Sequence, residues 1–136
     1  NHTTVDKKPV LDLVKEGKLN KEILEKIVQR TKSGGAEIVK LLEKGSAFYA
    51  PAASGVEMAE SYLNDLKKQL PCAAYLNGEY GIKDLYAGVP VVIGKNGIEK
   101  VVEINLNSEE KLSFDRSISA VKELFDAAKK IDKELV

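Results

Sequence analysis

The sequence predicts an α+β domain in which long helices pack on a small antiparallel sheet. Apolar residues at helical spacings occupy the first half and the end of the chain, and stretches typical of strands lie between them. The order is therefore helices, then a strand meander, then a helix, which is typical of the α+β class. A length of 136 residues favours one domain.

The first long helix is predicted over residues 21–44, with Asn20 as its N-cap. One helical phase is shared by Ile23, Ile27, Ile38 and Leu41. Two helices broken at Gly34–Gly35 are the alternative, because an interior glycine costs about 1 kcal/mol. Gly34 falls on the apolar stripe, where a missing side chain would let another backbone approach closely.

A second helix is predicted after Gly45, which is expected to cap the first one. Pro51 suits the first turn of the new helix, where its missing N–H costs little. Pro71 is expected to end it. The apolar positions of this helix are Val56, Ala59, Leu63, Leu66 and Leu70.

Three strands and a final helix complete the predicted order. Residues 72–81 indicate a strand with an irregularity at Gly78, and residues 85–94 indicate a strand buried on both faces. "KNG" at 95–97 is a hairpin signal. In the third strand, residues 98–106, the inward positions are Ile98, Val102, Ile104 and Leu106.

The final helix is predicted to begin after Asn107, with Glu110 completing a capping box. Its apolar stripe comprises Phe114, Ile118, Val121, Phe125, Ala128, Ile131 and Leu135.

Composition excludes several classes of partner. Lys plus Arg equals Asp plus Glu, at 21 each, so the electrostatic drive toward nucleic acid is missing. No apolar run approaches the roughly 20 residues of a membrane-spanning helix. Cys72 is the single cysteine, which excludes an internal disulfide and a multi-cysteine metal site and favours a reducing cytoplasm.

The residues capable of chemistry do not form a complete catalytic set. His2, the single histidine, has no acidic or nucleophilic neighbour in sequence, and Cys72 is expected to fill apolar space on a strand. Glu79 and Asp84 are a possible acid–base pair. We favour the alternative that both acids cap backbone N–H groups at a strand turn.

One segment of small residues, 45–55, connects the two predicted helices. Its composition fits close helix packing. It also fits a space left for a ligand at a helix N-terminus.

Two longer segments carry a resemblance. "TKSGGAEIVKLLEKGSAFYAPAASGVEMAESYL" and "CAAYLNGEYGIKDLYAGVPVVIGKNGIEKVVEI" resemble the C-terminal half of the malate dehydrogenases, within the lactate/malate dehydrogenase family. The likeness runs from about Thr4 to the end of the final helix. It implies that residues 1–136 form a substrate-binding domain, and that an NAD-binding Rossmann domain would precede this chain.

The resemblance also implies an activity and a site. The reaction would be hydride transfer between malate and NAD, which gives oxaloacetate, in an enzyme that forms homo-oligomers. Ser46 and Ala47 would lie beside the substrate, and Pro51 near the nicotinamide.

No catalytic residue is assigned to this chain. The family's Gly-Gly-His-Gly-Asp motif is absent, so the catalytic histidine, its aspartate and the substrate arginines are expected upstream, and His2 is not promoted to that role. Two alternatives stay open. One is an excised, non-catalytic domain that self-associates, and the other is a lactate dehydrogenase C-terminal domain.

Overall fold

The computed structural model describes residues 2–135, and it divides into two compact units. The first unit extends to Ala52 and the second begins at Ala53. None of the helices formed by these residues is both long and apolar enough to cross a membrane.

The first unit begins with a small hairpin and then becomes helical. Strands β1 (Thr4–Val5) and β2 (Lys8–Pro9) pair in antiparallel fashion, which the sequence patterns did not predict. Three helices follow, α1 (Val10–Lys15), α2 (Lys21–Lys32) and α3 (Gly34–Leu42). Asn20 caps α2 as predicted, because its side chain accepts a hydrogen bond from the backbone N–H of Ile23 at 3.1 Å.

The prediction of one helix over residues 21–44 is wrong, and the two-helix alternative is correct. The break falls at Ser33, which ends α2 by donating its N–H to the carbonyls of Gln29 and Arg30, both at 3.2 Å. Poor helix propensity of the adjacent Gly34–Gly35 pair favours the break. The predicted close approach at Gly34 is also wrong, since a Cβ there would meet nothing within 4 Å.

Helix α4 (Tyr49–Leu63) has Pro51 in its first turn, as predicted. It ends earlier than the sequence suggested. Asp65 and Lys67 adopt left-handed backbone conformations, and the chain then enters a strand. The predicted helical positions Leu66 and Leu70 are therefore wrong.

Strand β3 (Lys68–Asn77) contains Pro71, which we had predicted to be a helix end. The strand lies at the edge of the sheet, and Pro71 stands opposite Pro90. An edge strand tolerates proline because one side of its backbone has no ladder to complete.

The sheet is an antiparallel meander, as predicted, with the order β3, β4 (Lys83–Gly94), β5 (Gly97–Val101). A tight turn joins Gly94 to Gly97, whose φ of 86° explains the glycine of "KNG". Burial alternates along β4, so the prediction of a strand buried on both faces is wrong. The third strand is shorter than predicted, and Ile98 is exposed.

The core of the second unit lies on one face of this sheet. Helix α5 (Ser108–Ile131) supplies Ile118, and the predicted capping box between Asn107 and Glu110 is present. Ile131 and Leu135, which were predicted on the apolar stripe, are exposed. The buried hydrophobic residues of the strands are Ala74, Leu76, Leu85, Ala87, Val89, Val91 and Ile93.

Candidate functional site: the elbow before helix α4

The elbow, defined here as residues 43–51, connects α3 to the first turn of α4. The helix ends at Leu42, and Glu43 takes the capping position with a φ of 58°. Gly45 was predicted to be that cap. It lies two residues beyond the capping position and has a φ of 94°, so it forms the turn of the elbow itself.

Gly45 is required at this turn for two reasons. A left-handed backbone is unfavourable for residues with a Cβ. A Cβ built on Gly45 would also lie 2.9 Å from Cζ of Phe48, whose ring rests against this glycine. Phe48 thereby packs against Gly45, which has no side chain.

Ser46 and Ala47, predicted beside the substrate, and Pro51, predicted near the nicotinamide, lie within this elbow. Ser46 and Pro51 are exposed, and Ala47 is half-buried. Helix α4 is already hydrogen-bonded at this point, because Ala52 donates its N–H to the Phe48 carbonyl at 3.0 Å. Two small residues, Ser46 and Ala47, thus lie near the N-terminus of α4, with Phe48 between them and the helix.

The electrostatics of this end of α4 suit an anion. The first turn contains no acidic side chain that would compete for the positive end of the helix dipole. Such an end stabilises a negative charge by about 0.3–1 kcal/mol, an amount that orients a carboxylate without supplying catalysis.

The other residues considered for chemistry lie in separate places. The Glu79 carboxylate accepts the N–H of Asn77 at 2.7 Å, which confirms its capping role. Hydrogen bonds from its own backbone N–H and from that of Asn77 lower the pKa of Glu79. Asp84 does not cap the backbone as predicted, since its carboxylate accepts the Tyr75 hydroxyl at 2.7 Å. That bond raises the pKa of the Tyr75 phenol.

The environments of Cys72 and His2 agree with what the sequence predicts for them. Cys72 is a half-buried free thiol that packs against the core, and His2 is exposed. Residues 2–135 contain no group of three His, Cys, Asp or Glu placed to hold a metal ion.

An ion pair across the helix break was not predicted. Nε and Nη2 of Arg30 donate to the two carboxylate oxygens of Glu37 at 3.2 and 2.9 Å. The pair joins α2 to α3, raises the pKa of Arg30 and lowers that of Glu37. Its residues are seven apart in the sequence. This spacing does not indicate an ion pair within one continuous helix, so the pair could be predicted only with knowledge of the break.

The helices and the small antiparallel sheet give the chain an α+β architecture. Residues 1–132 match the family described as the lactate/malate dehydrogenase, alpha/beta C-terminal domain. The chain belongs to this family.

Individual relatives include both kinds of dehydrogenase. The chain is 66% identical over 133 residues to the malate dehydrogenase of Pelagibacter ubique. The matched region covers 98% of this chain and 42% of that protein. A crystal structure of malate dehydrogenase from Cryptosporidium parvum is 47% identical, with a TM-score of 0.87 over 93% of this chain and 40% of that one.

A lactate dehydrogenase from Eimeria maxima, crystallised with NADH and oxamate, is 42% identical with a TM-score of 0.91. The matched region covers 97% of this chain and 41% of the Eimeria maxima chain. The chain therefore spans about two-fifths of the length of the relatives it matches.

Proposed function

We propose that this chain is the substrate-binding part of an NAD-dependent malate dehydrogenase that interconverts malate and oxaloacetate. The observation that carries the proposal is the elbow, where small residues precede the anion-favouring end of α4. Identity of 66% to a malate dehydrogenase supports malate over other substrates, since the lactate dehydrogenase of Eimeria maxima is 42% identical.

Within this proposal, Ser46 and Ala47 bound the space for the substrate. A dicarboxylate needs room and a favourable potential, and both are met where side chains are small and a helix begins. The Ser46 hydroxyl is exposed and can donate a hydrogen bond to a carboxylate oxygen. Pro51 lies on the first turn of α4, where its ring offers an apolar surface to a nicotinamide.

The dinucleotide itself would be held mainly by another part of the enzyme. The glycines of this chain do not form the strand–glycine–helix cradle of dinucleotide sites, because Gly34–Gly35 follow a helix and Gly94 and Gly97 flank a hairpin. NAD supplies a hydride acceptor when bound. The residues of this chain would position the substrate against it, and an N-terminal domain would provide the base.

The remaining features of the proposal concern the whole enzyme. Exposed apolar side chains on α2 and α3 support homo-oligomer formation or contact with the N-terminal domain. The lone thiol of Cys72 supports a cytoplasmic location. A lactate-specific enzyme is the second candidate, supported by the TM-score of 0.91 to the Eimeria lactate dehydrogenase.

A fusion protein tests the proposal. The N-terminal part of the Pelagibacter ubique malate dehydrogenase is joined to residues 1–136, and oxidation of malate and of lactate is compared with that of the 136-residue chain alone. We expect malate-dependent NADH formation by the fusion, little with lactate, and none by the chain alone, since neither a base nor a dinucleotide site is encoded in it. Preference for lactate, or equal turnover by the isolated chain, would refute the proposal.

A further inference from the structure

A second groove lies in the second unit, between the sheet and the C-terminal half of α5. It encloses about 530 Å³. Leu85 and Val121 are its more buried apolar members, while Tyr75 and Tyr86 stand side by side on adjacent strands with ring centroids 5.4 Å apart. This groove, here named the β4–α5 groove, contains none of the elbow residues.

A β-bulge places Asp84 in this groove. Leu76 pairs with Leu85 and Asn77 with Lys83, so Asp84 is an extra residue without a partner on β3. Its φ of 56° is unusual for a residue other than glycine. Bulges and left-handed residues often re-aim a side chain at a site, and here the Tyr75 hydroxyl holds the carboxylate from a distance of 2.7 Å.

A positive charge lines the same groove. The ammonium group of Lys129 lies 4.6 Å from the centre of the Phe125 ring, a cation–π contact that holds it in place. Among the described residues, Lys129 and Asp84 are not within ion-pair distance of each other or of another charged partner. Two opposite charges therefore line one apolar groove without neutralising each other.

We propose that the β4–α5 groove binds a free amino acid with a large apolar or aromatic side chain. The ammonium group of the ligand would meet Asp84, its carboxylate would meet Lys129, and its side chain would cover Leu85 and Val121. A zwitterion matches this pair of charges better than a simple amine or acid, each of which leaves one charge unanswered. The groove shares no lining residue with the proposed substrate pocket, and its ligand is not a reactant.

Titration of the full ¹⁵N-labelled chain with L-phenylalanine, followed by NMR, tests the site. We expect saturable shifts of the Leu85, Val121 and Phe125 amides, with half-saturation on the order of millimolar. 2-Phenylethylamine, which lacks the carboxylate, and 3-phenylpropanoate, which lacks the ammonium group, should each bind more weakly. Absence of saturable shifts with L-phenylalanine would overturn the proposal.

Charge-neutralising variants identify the two contacts. Asp84→Asn should weaken phenylalanine and phenylethylamine about tenfold or more and spare phenylpropanoate, whereas Lys129→Gln should do the reverse for the two analogues. Asparagine tolerates the left-handed backbone of position 84, so the bulge should survive. Tyr75→Phe, which leaves Asp84 charged and removes only its hydroxyl partner, should weaken phenylalanine to a smaller degree.

Matched controls lie on α5 outside the groove. Asp115→Asn and Lys122→Gln make the same charge changes and should leave the phenylalanine affinity unchanged. Equal weakening by the controls and the groove variants would show a general charge effect and contradict the site.

Discussion

Ser61 connects α4 to the sheet of the second unit. It is fully buried, at 0% exposed, and it is the one buried polar residue in the part of the chain that the structure describes. Its hydroxyl donates to the Ile93 carbonyl at 2.7 Å and accepts the Lys68 N–H at 3.2 Å. One side chain thereby satisfies backbone groups on both β3 and β4.

We predict that Ser61→Ala lowers the free energy of unfolding by about 1–3 kcal/mol, because the buried Ile93 carbonyl and the part-buried Lys68 N–H lose their partner. Urea unfolding followed by circular dichroism measures the change. Ser119→Ala is the control, since the exposed Ser119 hydroxyl only bonds the Asp115 carbonyl within α5. An equal effect of the two substitutions would mean that the Ser61 bonds add no stability.

Sequence reasoning gave no role to Ser61, and the reason is physical. In "AESYL" a serine follows a glutamate on a helix, a context typical of an exposed position. Its partners are carbonyl and amide groups of strands that come later in the chain, so only the packed structure identifies it. Asn107, by contrast, was predicted correctly because both partners of a capping box lie within three residues.

At the scale of elements, the capping box of α5 contributes measurably to the free energy of unfolding. The Asn107 side chain accepts the N–H of Glu110 at 3.0 Å, and the Glu110 carboxylate accepts the N–H of Asn107 at 2.9 Å. We predict that Asn107→Ala costs about 1 kcal/mol of unfolding free energy. Asn105→Ala, at an exposed position outside any helix, should cost far less, and equal costs in urea unfolding would contradict the capping role.

The Arg30–Glu37 pair gives the break between α2 and α3 a dependence on pH. Arg30 lowers the pKa of Glu37 below the ordinary 4.5 by hydrogen bonding and by charge. A lowered carboxyl pKa stabilises the folded state above the ordinary value, and this contribution is lost as pH falls through the lowered value. The contribution of this exposed pair to the stability of the folded state is small, is complete at neutral pH and is lost in acid.

We predict that Arg30→Gln returns the Glu37 pKa toward its ordinary value, as measured by the carboxyl ¹³C shift during a pH titration. Lys21→Gln is the control, because Lys21 belongs to a looser pair with Glu25 at 3.8 Å, also on α2. An unchanged Glu37 titration in Arg30→Gln would show that the ion pair does not form in solution.

Element types were predicted better than element ends. The alternation of apolar and polar residues and the "KNG" turn correctly indicated the meander, since those signals are local. The end of α4 and the start of β3 were missed because the leucines at 66 and 70 continue a helical spacing, while pairing with a later strand recruits residues 68–77 into the sheet. The tertiary partner overrode the local pattern.

At the scale of the whole molecule, exposed apolar surface is the main feature of the first unit. Ile23 and Ile27 are both 54% exposed and Leu41 is 76% exposed. No residue of α2 or α3 is buried. Several exposed apolar side chains on neighbouring helices are typical of an interface.

We predict that the 136-residue chain self-associates as its concentration rises, as measured by light scattering. Ile27→Lys should weaken association, because it places a charge within the apolar surface. Gln29→Lys adds the same charge to another exposed position of α2 and should have little effect. A monomer throughout the micromolar-to-millimolar range would contradict the prediction.

The candidate pocket residues lie in the elbow, and their role there stays a prediction that rests on the resemblance and not on local chemistry. Small residues before a helix fit packing and ligand binding equally well. The left-handed Gly45 and its contact with Phe48 explain the turn, whereas a substrate space beside Ala47 is part of the proposal.

The most direct test of the account is the effect of Ala47→Leu on the fusion protein. Leucine adds three carbons to the space assigned to a carboxylate, and overpacking costs about 1–3 kcal/mol, which is up to about a hundredfold in affinity. The KM for oxaloacetate should therefore rise about tenfold or more, while the KM for NADH and the Tm stay nearly constant. Ala59→Leu makes the same change at an exposed position of α4 and should alter none of them. An unchanged KM for oxaloacetate together with a large fall in Tm would show that the elbow serves packing and would contradict its assignment as the substrate pocket.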